Sequence, residues 1–327
     1  MKKLIFSIGI RSLLFICALE FFLSFGGLVF IAFRNAQNAL LSKKGDYKIM
    51  CYGESITVYG NESSYPRYLE AILNDEPGRR TFQVINKGVP AMTTTELSRN
   101  LESDVDREKP DMIIFLIGIN DVFFKDQVAV TKFSKFKLLV LEKFKIYRLA
   151  KNLTKGAFAY IRDKYINKNY VLPGKNLLAD NGQSEQSLDG DVLRHDDWVF
   201  ENFLVASEEM ERLKNISVPK PPYYEDVTNY HPLSIRNFNV MANAMYQRGV
   251  QVVIMQYPLL SIDPLKDAIW ENNNILFVEN QWLFKKVVLK EGLAAYFDDD
   301  YGHVNQKGRW LMASNLADKI LRYLEKE

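Results

Sequence analysis

Tyr47-Lys48-Ile49-Met50-Cys51-Tyr52-Gly53-Glu54-Ser55-Ile56-Thr57 is the stretch on which the fold turns. An apolar run of strand length leads into a glycine turn and then a serine, so Ser55 stands where a buried strand gives way to a loop. The strand itself is read as Tyr47–Tyr52, and four later runs share its character: Phe82–Asn86, Met112–Ile117, Val250–Gln256 and Ile275–Val278. They are short and mostly apolar on both alternating faces, as expected of strands covered on both sides. Helical periodicity occupies the intervals, over Tyr65–Leu73, Thr94–Leu101, Ile235–Gln247, Gln281–Lys290 and Gln306–Leu324. Gly249 is placed to stop the third of these. In the last, Leu316, Ile320 and Leu324 recur every fourth residue and make a stripe that packs on a sheet. Alternation of this kind predicts an α/β protein with a parallel sheet of about five strands between two helical layers.

The bulk properties narrow the choice of partners. With 327 residues and 47% hydrophobic content, the chain can bury one large core or two modest ones. Its formal charge of +2 gives no reason to expect nucleic acid or another bulk polyanion. Cys17 and Cys51 are poorly placed to pair, so neither a disulfide nor a cysteine metal site is expected, and no cofactor or metal is called for. Residues 1–34 read as an N-terminal transmembrane anchor and 35–46 as a linker. Ser12–Phe33 carries a single charge, Glu20, and as a helix it would run roughly 33 Å, enough to cross a hydrocarbon core of about 30 Å. A cleaved signal peptide is the main competitor, but no clean small-x-small site follows Phe33. Lys2, Lys3 and Arg11 precede the span, which places the remaining domain, 47–327, outside the cytoplasm.

Between Asp121 and Ile235 the alternation breaks down, so 122–234 is read as a large, mostly helical insertion. Its first part, Lys125–Lys168, holds 12 Lys/Arg against three acidic residues and is interleaved with aromatics; Ala179–Glu211 is polar and acidic. The basic part suits either a helical subdomain or contact with anionic lipid headgroups.

Chemistry converges on Ser55. A serine hydroxyl needs a base to take its proton and donors to hold the oxyanion that forms on attack. The chain has three histidines. His195 lies in the polar insertion and His231 precedes Pro232, whereas His303 follows an acidic cluster and leads into the final helix. A base must be oriented by a carboxylate on its far nitrogen, and the spacing favours Asp300 over its neighbours Asp298 and Asp299. Asn120, just past the strand Met112–Ile117, can aim an amide at the same sheet edge, with the Ser55 amide and one after Asn86 completing the set.

Four ordered blocks carry these residues: Gly53-Glu54-Ser55, Asn86-Lys87-Gly88-Val89-Pro90-Ala91, Gly118-Ile119-Asn120-Asp121 and Asp300-Tyr301-Gly302-His303. Together they resemble the SGNH (GDSL-type) hydrolase family. The resemblance implies a flavodoxin-like α/β/α sandwich, Ser55 as nucleophile, and Asp300 and His303 as the other members of a triad. It also implies oxyanion donors at Ser55, Asn120 and either Ala91 or Gly88. Two departures stand out: Glu54 occupies the usual aspartate position, and Ala91 occupies that of the oxyanion glycine, where it is expected at an ordinary φ. Three activities are open at this point. The first is a serine esterase acting on an ester substrate such as an acylated envelope glycan or a lipid-like ester. The second is an O-acyltransferase to a sugar hydroxyl, and the third a non-catalytic, membrane-tethered binding module.

Overall fold

The structure is a computed structural model that describes residues 11, 14–26, 29, 45–75, 80–121, 207–225, 230–269 and 275–326. The basic segment Lys125–Lys168, His195 and most of the linker lie outside the described residues. The chain divides into two units, one of Met1–Gln37 with Asp126–Val192 and one of Asn38–Lys125 with Leu193–Glu327. In the first unit, residues 14–26 are helical, and Leu14, Phe15, Phe21, Phe22 and Phe25 are exposed. Part of the expected anchor Ser12–Phe33 lies outside the described residues. Among those described, no helix is long and apolar enough to cross a membrane.

The second unit is built on a five-stranded parallel sheet: β1 (Tyr47–Gly53), β2 (Phe82–Asn86), β3 (Met112–Leu116), β4 (Gln251–Met255) and β5 (Ile275–Val278). The strand order is β2-β1-β3-β4-β5. Cys51 lies opposite both Asn86 of β2 and Ile114 of β3, and Gly53 opposite Leu116. The order in which successive strands are added therefore reverses between β1 and β3, and the crevice beyond their carboxyl ends is where open α/β sheets carry their sites.

Alternation along the strands sorts the core into two layers. Ile49, Cys51, Ile114, Leu116 and Val253 face helices α2 (Tyr65–Leu73), α8 (Gln281–Glu291) and α9 (Gln306–Leu324). Met50, Tyr52, Ile113, Phe115 and Val252 face α3 (Thr94–Glu108), α6 (Pro232–Tyr246) and α7 (Asp263–Ala268). Both faces of every central strand are thus apolar, as the runs predict. Besides α7, three short helices were not foreseen from periodicity: α1 (Ser55–Val58), α4 (Ser207–Lys214) and α5 (Pro222–Glu225). The last two lie in the expected insertion, at its carboxyl end.

Helix α3 runs two turns beyond its expected end at Leu101. Val105 extends the stripe of Leu97 and Leu101, while the polar residues between them obscure the period. A capping box, with Thr93 bonded to the Glu96 amide and Glu96 to the Thr93 amide, starts this helix; Lys109 at φ 49° ends it. Helix α6 begins earlier than expected because Pro232 suits a first turn and His231 caps it, its Nδ1 accepting the Leu233 N–H at 3.2 Å.

Candidate active site

Gly53 makes the turn after β1 possible. A Cβ there would lie 2.0 Å from Thr57 Oγ1 and 2.5 Å from the Leu116 carbonyl, so only glycine lets α1 fold back against β1 and β3. Ser55 is the first residue of α1 and is half-buried. At that position its N–H has no carbonyl four residues back inside the helix to bond. The turn is anchored by Thr57 and Val58, whose amides bond the Glu54 carbonyl at 3.0 and 3.1 Å.

The base arrives from the far end of the chain. Phe297 and Val304 form an antiparallel bridge, and the loop between them closes with the Asp298 N–H on the His303 carbonyl at 2.8 Å. His303 Nε2 lies 2.7 Å from Ser55 Oγ, across 248 residues of sequence. Its Nδ1 lies 2.5 Å from Oδ2 of Asp299. The carboxylate on the ring is therefore Asp299, where sequence spacing pointed to Asp300. The reason is local. Asp299 Oδ1 accepts the N–H groups of Tyr301 and His303 at 3.0 and 3.1 Å, which folds its side chain over its own loop and leaves Oδ2 for the imidazole. Asp300 sits exposed at the loop apex. Burial alone would raise the Asp299 carboxyl, but the bonds from His303 and Tyr301 prevail and hold it below the usual carboxylate range.

The loops beyond β2 and β3 are tied to the same corner. Val89 N–H bonds the Gly53 carbonyl at 2.9 Å, and Asn86 Nδ2 donates to the Thr57 carbonyl at 2.6 Å. Gly88 sits close under α1, where a Cβ would meet Val58 N at 2.9 Å, and its N–H is committed to Asn86 Oδ1 at 2.9 Å. Gly88 thus serves packing, and its amide is occupied. Ala91 is exposed and has φ 56°, the left-handed region, in place of the ordinary φ expected of it. That conformation costs an alanine about 1–2 kcal/mol. Asn120 is half-buried; its Nδ2 makes a long contact of 3.4 Å to the Met92 carbonyl. Next to it, Asp121 accepts from Thr94 N and Thr94 Oγ1 at 3.1 and 2.6 Å, locking this loop to the start of α3.

Residues 51–167 match the model of the GDSL-like Lipase/Acylhydrolase family. The match spans the serine, Gly88–Ala91 and Asn120 blocks and ends well before Asp299 and His303, which join the site through the geometry alone. A curated acetylxylan esterase from Geobacillus stearothermophilus is 31% identical over 88 residues, covering 23% of this chain and 40% of that relative. The chain thus matches about two fifths of that relative's length. Among solved structures, an acetylxylan esterase from the same organism superposes with a TM-score of 0.45 at 16% identity, covering 84% of this chain and 94% of that one. A putative lipolytic protein of the G-D-S-L family from Desulfitobacterium hafniense superposes with a TM-score of 0.41 at 13% identity, covering 84% and 99%. Both likenesses cover part of the chain: residues 51–167 for the GDSL-like family and 88 residues for the acetylxylan esterase.

Two supports of this site escaped sequence reading. Tyr224 of α5 lies under the base loop: its hydroxyl donates to the Gly302 carbonyl at 3.1 Å, and its ring fills the space a Gly302 Cβ would enter at 2.3 Å. Gly302 can adopt φ 87° there because it is glycine. Arg309 of α9 donates to the carbonyls of Ser63 and Val304 at 2.9 and 2.8 Å, joining the loop after α1 to the loop after His303. A tyrosine in a Pro-rich tail and an arginine inside a helix carry no sequence signal of such roles.

Proposed function

We propose that the chain is a serine esterase that releases a short acyl group, most simply acetyl, from a sugar hydroxyl. The observation that carries this is the continuous relay Ser55 Oγ, His303 Nε2, His303 Nδ1, Asp299 Oδ2, at 2.7 and 2.5 Å. An ionised Asp299 holds the proton on Nδ1, which leaves Nε2 unprotonated and able to accept from the serine. Ser55 Oγ attacks the ester carbonyl carbon while His303 takes its proton. The oxyanion that forms is met by the Ser55 amide, Asn120 Nδ2 and the amide of Ala91. Each such donor is worth roughly 3–4 kcal/mol of transition-state stabilisation. In taking this part Asn120 Nδ2 exchanges its 3.4 Å contact with the Met92 carbonyl for the oxyanion. His303 returns the proton to the departing alcohol oxygen. Water, deprotonated by the same imidazole, then cleaves the acyl-Ser55 bond and restores the serine.

The sugar-linked substrate is supported by the name of the curated relative, an acetylxylan esterase. A membrane-tethered, extracytoplasmic setting is supported by the 22 residues of Ser12–Phe33 with one charge among them. The test is turnover of p-nitrophenyl acetate and of acetylated xylo-oligosaccharides by wild type and Ser55→Ala. Free acetate from both substrates, lost by at least ~10³-fold in the variant, is the expected result. Undiminished turnover by Ser55→Ala would reject the reading.

A further inference from the structure

We propose that Glu54 is a positioning residue, whose buried side chain holds the Asn120 loop where it can serve the oxyanion formed at Ser55. The proposal rests on the esterase reading above. Glu54 directly precedes the serine, yet its side chain turns inward and is 2% exposed. Gly118 N–H donates to its Oε1 at 2.9 Å, and Asn120 N–H approaches the same oxygen at 3.5 Å. Its Oε2 is bonded by the hydroxyl of Tyr257, which follows β4. One side chain thereby joins the carboxyl ends of β1, β3 and β4.

Asp121 ties the far end of this loop to Thr94, and Glu54 takes the near end. Gly118 stands at φ 118°, with the Tyr230 ring filling the space where a Cβ would fall, 2.8 Å from Cε1. Tyr230 donates to Gln256 Oε1 at 2.8 Å, and that oxygen also accepts the Tyr257 N–H at 2.8 Å. The Gly118–Asn120 segment is thus gripped by an aromatic wall on one side and the Glu54 oxygen on the other. The named partners of Glu54 are two amides and a phenol, all neutral. As donors these groups favour the ionised form, but burial outweighs them and pushes Glu54 up to about 8.

The test uses the full chain with p-nitrophenyl acetate. Glu54→Gln keeps an acceptor for the amides and presents its NH2 to the Tyr257 oxygen, so kcat stays within ~3-fold of wild type. Glu54→Leu has similar volume and no acceptor; kcat falls ~30–100-fold with KM nearly unchanged, approaching the loss of one oxyanion donor. The loss is not repeated on an Asn120→Ala background, since both changes remove the same contribution. If Glu54→Leu does not fold, Tyr257→Phe gives the same reading. It frees Oε2, lowers kcat with KM unchanged, and loses that effect on the Asn120→Ala background. Wild-type kcat in Glu54→Leu or Tyr257→Phe would overturn the proposal. So would a Gln variant as impaired as Leu, or losses that multiply with Asn120→Ala. Any of these beside an inactive Ser55→Ala removes only the role of Glu54; an active Ser55→Ala removes the esterase itself.

Discussion

At the scale of single residues, the acidic run Asp298-Asp299-Asp300 shows where sequence reasoning ends. The base was legible because only three histidines exist and one of them leads into the final helix. Which aspartate faces it depends on a loop whose own amides capture one carboxylate oxygen, and no spacing rule encodes that. The consequence is a discriminating pair of variants. Asp299→Asn keeps the shape but no longer fixes the proton on Nδ1, and kcat on p-nitrophenyl acetate is expected to fall by ~10³–10⁴, the order seen when a triad carboxylate is neutralised. Asp300→Asn, at the exposed apex, is expected to stay within ~2-fold. Equal losses in the two would mean that the loop is arranged otherwise in solution. Ala91 shows a second limit: its place in the second block was visible, while its left-handed backbone was not.

At the scale of elements, the five strands were readable almost residue for residue because all are short, mostly apolar runs bounded by turn residues, and the central three are buried on both faces. Tyr47–Gly53 and Phe82–Asn86 need little more than their own composition to be recognised. Short helices were another matter. The four-residue helices α1 and α5 have too few turns to show a period, yet one carries Ser55 and the other supports the base. Tyr224 makes this support testable through Gly302. Gly302→Ala forces a left-handed alanine and drives a Cβ into the tyrosine ring. A loss of roughly 2–4 kcal/mol in stability is expected, the sum of backbone strain and overpacking. Chemical denaturation of wild type and Gly302→Ala measures it. Pairing with Tyr224→Ala should recover the overpacking part, and a Gly302→Ala protein as stable as wild type would deny the contact.

At the scale of the whole molecule, parallel order β2-β1-β3-β4-β5 gathers residues from both ends of the sequence onto one rim, a consequence of fold class that alternation of elements made readable. The network beneath that rim should also mark the stability of the unit. Burial holds Glu54 at about 8, against 4.5 for the ordinary group. Between those values the folded chain keeps a proton that the unfolded chain releases. The stability contributed is therefore full below the lower value and is lost as pH rises through the upper one. Burial also raises the neighbouring phenols Tyr230, Tyr257 and Tyr65, so they stay neutral throughout this window, while the charge of Asp121 adds to the upward push on Glu54. Glu54→Gln does not titrate, and its urea midpoint relative to wild type is expected to improve from pH 5 to about pH 8 and to level off above it; a constant difference would show Glu54 ionised at both ends. The contact that everything else depends on joins Ser55 to His303, 248 residues apart. Its most direct measurement is fluorophosphonate labelling of the full chain, with the modified peptide located by tandem mass spectrometry. A single adduct on Ser55, formed rapidly by wild type and at least ~10²-fold more slowly by His303→Ala, is the expected result. An adduct elsewhere, or equal rates in the two proteins, would contradict it.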